Sequence, residues 1–372
     1  MNVGLVTKWF NRGQPVVARQ LRSAVEELGH ETFVLARPKK ERGPRPGALD
    51  LDDVWDQPRV TAASAYDITA DEYGRWVEAN GIEAILCDQN YQFAELAQLR
   101  RDGVRTIGRF VWEHFTPEHV AGATEAYDVV YSLTRVERER YAEMGIDSPY
   151  VTWGCHPELL TYAETPRRAA GEEVWFVFPG GFLGHRKPLE PVLEAFSSVD
   201  DERLRLLVKA QVERRKLVEP AERAASRDPR IAVQIADQPQ DEHLRELASC
   251  DVCVAPARWE GLGLPLYEAM AFGMPAITND APPMNEAVHD DVNGVLVASH
   301  QVGTAKSGIP ALDPDVGELA GAIERLADAG ERERLADGAA RMRETERRWD
   351  ACSPAAPSGS CRARGRRGAR TC

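Results

Sequence analysis

Glu260 and Glu268 flank a turn that contains Gly261 and Gly263, inside a run from Cys250 to Pro275 that reads as strand, glycine turn and helix. Glycine removes the side chain where backbone must come close to a ligand, and Pro265 suits the first turn of the helix that follows. The N–H groups at such a helix start lack partners and point outward, forming an anion site to which the dipole alone adds about 0.3 to 1 kcal/mol. A diphosphate fits that chemistry. A carboxylate accepts two hydrogen bonds at once, so Glu268 could hold a ribose cis-diol while Glu260 reaches toward a sugar ring. Both could equally be exposed glutamates stabilised by the helix start.

A second basic feature is the run Phe178 to Pro188, placed directly after a strand pattern and before a helix pattern. Arg186 and Lys187 are cations able to neutralise a nucleotide diphosphate, or else a solvated pair at a helix start. Gly180-Gly181-Phe182-Leu183-Gly184 lacks the G-x-G-x-x-G spacing, and the strand 204–209 ends in a lysine where NAD would require an acid, so a dehydrogenase finds little support. Nearer the N-terminus, Gly13 separates the first strand from the first helix and by position alone is a turn residue. Trp112-Glu113-His114 and Asp88-Gln89-Asn90 each close a strand pattern, and by position the second group could contact the hydroxyls of an acceptor.

These groups need strands to hold them, and the chain supplies a βα alternation almost from end to end. Strands are expected at 2–7, 32–36, 83–87, 104–111, 128–132 and 150–153, and again at 174–178, 204–209, 231–235, 251–255, 276–278 and 294–297. Pro15 opens the first helix and Gly29 closes it, with Val17, Leu21, Val25 and Leu28 on one stripe. Residues 38–60 read as an irregular excursion. The expected division is a first domain over 1–155, a linker over 156–173, a second domain over 174–349 and a disordered tail over 350–372. The tail's Ser, Pro, Gly, Ala and Arg composition also looks like translation in a shifted frame. Two parallel sheets joined once form a cleft, and open α/β sheets bind ligands beyond the carboxyl ends of their strands.

Composition limits the partners. A 372-residue chain with 43% hydrophobic and 28% charged residues fits two globular domains. Its formal charge of -13 includes five arginines and one aspartate in the tail, so the body is more acidic still and repels nucleic acid. No run approaches the roughly 18 apolar residues of a membrane-crossing helix, and no secretory signal is read at the N-terminus. Seven cysteines suggest a reducing cytoplasm rather than a disulfide framework, and Cys250-x-x-Cys253 reads as core rather than metal ligand. The acidic pairs Asp50-Leu51-Asp52 and Asp313-Pro314-Asp315 lie at no promising strand end, and no metal is expected.

The ordered series Glu260, Gly261, Gly263, Glu268, Ala269, Met270, Gly273 and Pro275 resembles the Glu-x7-Glu donor-site signature of the retaining glycosyltransferases of family four. Gly29-His30-Glu31, Gly154, Glu286 and Asn293-Gly294 resemble that family at the expected intervals, over about residues 1–349. The resemblance implies the GT-B fold, two facing Rossmann-like doubly wound domains with an interdomain cleft. It implies transfer of a hexose from a UDP- or GDP-sugar to an acceptor hydroxyl on a glycan, a lipid-linked sugar or a small molecule, without metal or cofactor. Carried over residue by residue, it gives Glu260 and His114 as catalytic, with Glu113 competing with His114, and Gly13, Arg186, Lys187, Gly261, Leu262, Gly263, Leu264 and Glu268 as donor-binding. Gly181 stands where many members carry an arginine, which leaves Arg186 as the second cation. The implied location is cytoplasmic, with peripheral contact to the inner membrane face for a lipid-linked acceptor. The alternatives are a GT-B sugar phosphorylase, a nucleotide-sugar epimerase, or a nucleotide-sugar-binding protein whose altered C-terminus has cost it activity.

Overall fold

The computed structural model describes residues 1–40, 47, 49–168, 172–211 and 215–352. Its strands are β1 (Asn2–Lys8), β2 (Glu31–Arg37), β3 (Val60–Ala62), β4 (Ala84–Asp88), β5 (Arg105–Arg109) and β6 (Val129–Val130), then β7 (Val174–Gly181), β8 (Leu204–Ala210), β9 (Ile231–Ile235), β10 (Val252–Val254), β11 (Ala276–Asn279) and β12 (Gly294–Val297). They form two six-stranded sheets, ordered β3-β2-β1-β4-β5-β6 and β12-β11-β10-β7-β8-β9, parallel throughout. Each order reverses direction once, at β1/β4 and at β7/β10. Those reversals are the crevices where doubly wound sheets take their ligands.

Strands buried on both faces explain the apolar runs: Val3, Leu5 and Val6 of β1 and Phe176, Val177 and Phe178 of β7 are all buried. The second half keeps one core among its own strands and helices. A second core joins the halves, because Val17 and Leu21 of the first helix cluster with Leu262, Leu266 and Tyr267 behind the glycine turn. The first helix, Gly13–Glu27, starts two residues before Pro15, and Gly29 follows it in the left-handed conformation that favours glycine.

Three expectations are corrected. The strand at 150–153 reduces to one bridge, Ser132 with Tyr150, because β6 is only two residues long and offers no further ladder; Val151 and Trp153 pack as extended chain instead. Within 38–60 an ordered turn, Asp53–Trp55, sets Trp55 edge-on against Trp9 at 5.3 Å and leads into β3 at Val60. A hairpin, β13 (Ser299–Thr304) with β14 (Pro310–Pro314), was not expected. Asp313 of the second acidic pair bonds Arg258 at 2.6 Å, and Asp315 caps the helix Val316–Ala327 by accepting from Glu318 N–H. Most of the tail, 353–372, lies outside the described residues. Before it, Trp349 stacks edge-on against Trp153 at 5.2 Å and Cys155 N–H donates to the Arg347 carbonyl at 2.8 Å, so the chain returns to the end of the first half.

Candidate active site

Four chain reversals build the site. β1 and β4 end at Lys8 and Asp88, and β7 and β10 lead into the loops that carry Arg186-Lys187 and Glu260. These edges face one another across a cavity of ≈ 620 Å³. The structure brings all ten expected residues to it: Gly13, His114, Arg186, Lys187, Glu260, Gly261, Leu262, Gly263, Leu264 and Glu268. Glu113 and Asp88 line the same cavity.

The second-half wall is a charge cluster. Glu260 is buried, and its Oε1 accepts from Lys187 Nζ at 2.6 Å while Arg186 Nη1 lies 3.5 Å from Oε2. Burial alone would raise the Glu260 pKa, but Arg186 and Lys187 outweigh it and hold the carboxyl below its usual range. Arg186 also lies 3.5 Å from Glu113, so one guanidinium spans carboxylates from both halves. Glu113 is buried with Oε2 unpartnered, and burial pushes its pKa up to about 7. Arg186 opposes that shift and Glu260 adds to it. His114 Nε2 lies 3.7 Å from Glu113, yet burial and then Arg186, Lys306 and Lys8 lower its pKa, favouring the neutral ring.

The turn is arranged for a ligand by more than its glycines. Gly263 is the left-handed N-cap of the helix Leu264–Ala271, a conformation that explains the residue. Among the described residues, none accepts from the N–H groups of Leu262, Gly263 or Leu264. Glu268 sits one turn into that helix, where burial and then Glu158 raise its pKa to about 7 against the pull of Lys187. Gly261 lines the cavity and has a second cause besides the expected one. A Cβ there would meet Val111 Cγ1 at 2.5 Å, so the glycine also serves contact with the opposite half. The loop is pinned there: Trp112 Nε1 donates to the Glu260 carbonyl at 2.6 Å and Arg109 Nη2 to the Gly261 carbonyl at 3.2 Å.

Sequence reasoning gave no site role to Lys209, Arg109, Lys8 or Arg12. Lys209, next to last in β8, lines the cavity with its ammonium shared by Gln234, Gln238 and Glu246. Arg12, beside Gly13, closes one end of the cleft with a two-armed ion pair to Asp237 at 3.0 and 3.1 Å. Glu286, noted only as part of the resemblance, crosses the halves and accepts from the N–H groups of Arg135 and Val136 at 2.7 and 3.0 Å. No local pattern announces any of these, since only the topology brings them together.

Residues 165–336 match the family of glycosyl transferases group 1. The D-inositol 3-phosphate glycosyltransferase of Xylanimonas cellulosilytica is 33% identical over 224 residues, 59% of this chain and 43% of that protein. An uncharacterized 41.2 kDa protein in the cps region of Klebsiella pneumoniae is 40% identical over 47 residues, 13% of each chain. The matched stretches thus span less than half the length of either curated relative. Among solved structures, sucrose-phosphate synthase from Thermosynechococcus elongatus superposes with a TM-score of 0.72 at 16% identity, covering 95% of this chain and 96% of that one. Anabaena HepE in complex with UDP and glucose gives 0.68 at 14%, covering 93% and 95%. These likenesses establish the fold as GT-B.

Proposed function

We propose that this protein is a metal-independent retaining glycosyltransferase that moves a hexose from a nucleoside diphosphate sugar to an acceptor hydroxyl. The observation that carries the reading is the wall made by Lys187, Arg186 and the open N–H groups of Leu262, Gly263 and Leu264, facing Glu113 and Asp88 across one cavity. Leaving-group charge on a departing diphosphate needs fixed donors and cations, and that wall supplies both. Glu268 is the ribose ligand and Glu260 orients the sugar; neither attacks it. Glu113 and His114 take the acceptor side, with Glu113 holding or releasing a proton near neutral pH. The Arg12–Asp237 and Trp112–Glu260 contacts hold the halves together, which excludes water and limits hydrolysis of the donor. The match to group 1 glycosyl transferases and the complex of Anabaena HepE with UDP and glucose support this reading.

Isothermal titration with UDP, GDP and their sugars tests it. Binding of one nucleoside diphosphate, lost in Glu268→Ala, is the expected result, and unchanged affinity in that variant would remove Glu268 from the donor site. Incubation with donor sugar alone separates transfer from epimerisation, since an epimerase turns over without acceptor.

A further inference from the structure

The first-half wall of the cleft carries a charge pattern that donor chemistry leaves unused. Parallel pairing sets Lys8 at the end of β1 opposite Arg37 at the end of β2, and Lys40 follows three residues later. All three gather around Tyr66, with Arg37 Cζ at 4.0 Å, Lys40 Nζ at 4.4 Å and Lys8 Nζ at 6.0 Å from its ring centroid. Arg37 is buried and occupied, donating to the Tyr66 carbonyl at 2.7 Å and lying 3.6 Å from Asp67. The other two are not occupied in that way. Lys8 donates to the neutral Gln14 at 2.9 Å and Lys40 rests on the ring; among the described residues no carboxylate lies within ion-pair distance of either ammonium.

Lys8, Lys40 and Tyr66 line the cavity, and so does Asp88, which is buried with neither carboxylate oxygen hydrogen-bonded and with Arg109 3.8 Å away. Like charges gathered in a partly desolvated corner repel one another. Burial, against the pull of Asp88 and with the push of Arg37 and Lys40, lowers the Lys8 pKa. Lys40 is exposed at the rim and Lys8 is half-buried beneath it, so an anion entering the cavity would meet both ammoniums. A neutral sugar would satisfy Asp88 and leave both lysines as they are. Two ammoniums match a dianion better than a carboxylate, which would leave one positive charge over.

We infer that the acceptor is a hydroxyl-bearing compound with a phosphomonoester, its phosphate held by Lys8, Lys40 and Tyr66 while Asp88 accepts from its hydroxyls. This deepens the glycosyl-transfer reading and rests on it for the word acceptor, whereas the anion corner itself can be tested apart.

The test uses the full chain with UDP or GDP at saturation, so that Arg186 and Lys187 are covered, and titrates glucose 6-phosphate, inositol 1-phosphate, glucuronate, glucose and inositol. The phosphorylated probes are expected to bind at least about tenfold tighter than their parents. The double variant Lys8→Met/Lys40→Met should lose that advantage with nucleotide affinity kept, and Lys8→Arg/Lys40→Arg should restore part of it, which excludes simple misfolding. Phosphorylated and neutral probes binding alike, or an advantage that survives in the methionine variant, would overturn the inference. Glucuronate binding as tightly as glucose 6-phosphate would overturn the choice of phosphate. If no nucleoside diphosphate binds while the sugar phosphates still depend on Lys8 and Lys40, the donor reading fails and the anion corner stands.

Discussion

Gly261→Ala tests whether the donor loop is shaped by its ligand or by the opposite half of the chain. Gly261 is not among the left-handed glycines, so alanine brings no backbone strain. What it brings is a methyl group 2.5 Å from Val111 Cγ1 and 3.6 Å from Glu113 Oε2. Carbon atoms rest at about 3.5 to 4.0 Å, so the overlap is on the order of 1 Å. The loop cannot back away without losing the bonds from Trp112 to the Glu260 carbonyl and from Arg109 to the Gly261 carbonyl. Overpacking of this kind costs about 1 to 3 kcal/mol. Charged against closure of the cleft, that is a loss of roughly 5- to 150-fold in nucleotide affinity. Val111→Ala removes the obstructing methyl, so Val111→Ala/Gly261→Ala should recover most of the loss in a double-mutant cycle read by calorimetry. A Gly261→Ala protein that binds nucleotide normally, or a loss that Val111→Ala leaves in place, would refute the steric account.

The remaining expectations concern charge and burial. Lys187→Ala removes the ammonium that on the proposed reading passes from Glu260 to the diphosphate, and should lower nucleotide affinity by roughly ten- to a hundredfold, from about 1.5 to 3 kcal/mol for a charge-assisted bond; calorimetry that finds no change would discard Lys187 as a phosphate ligand. Glu113 has a folded pKa of about 7, above that of an unfolded glutamate, so its contribution to stability is full below about pH 4 and is lost as pH rises through 7. Glu113→Gln should therefore gain in melting temperature relative to the parent as pH rises from about 4 to about 7 and level off above that, and a pH-independent difference would contradict the shift. Burial raises the thiol pKa of Cys87 and Cys250 to about 12 and that of Cys253 further, and Cys155 is buried as well, so a Cys352→Ser/Cys361→Ser/Cys372→Ser variant should leave an aromatic disulfide reagent unreacted at pH 8 until it unfolds. Rapid labelling of any of those four thiols in the folded protein would show an opening that this structure lacks.

The alternation of apolar runs and amphipathic stretches made both sheets legible, because a parallel strand buried on both faces has to be written in Val, Ile, Leu and Phe. The residues that meet on the second-half wall of the cavity were legible for a related reason. Arg186, Lys187 and Glu260 through Glu268 lie in two short segments, each read whole within its own strand-loop-helix unit. What stayed hidden depends on distance. Asp88 and Lys8 are 80 residues apart and meet only because β1 and β4 are neighbours at the reversal of strand order. The β13–β14 hairpin carries exposed polar residues along β13, so no apolar period marks it; it is fixed from outside, by Arg258 holding Asp313. Tyr150–Trp153 has the composition of a strand and lacks only a partner long enough to pair with. Gly261 was legible as a required glycine, but one of its reasons sits on Val111, in the other half of the chain.

The pairing of Lys187 with Glu260 means that this ammonium is already neutralised from within. On the proposed reading a diphosphate would not fall into a bare positive well there; it would trade places with a carboxylate at the ammonium. Small inorganic anions gain little from such an exchange, whereas a ligand that also presents hydroxyl groups gives the displaced Glu260 something to grip. Selectivity for a sugar-bearing diphosphate over free phosphate or pyrophosphate would then follow from one side-chain swap, and competition titrations with pyrophosphate against a nucleoside diphosphate sugar would measure it.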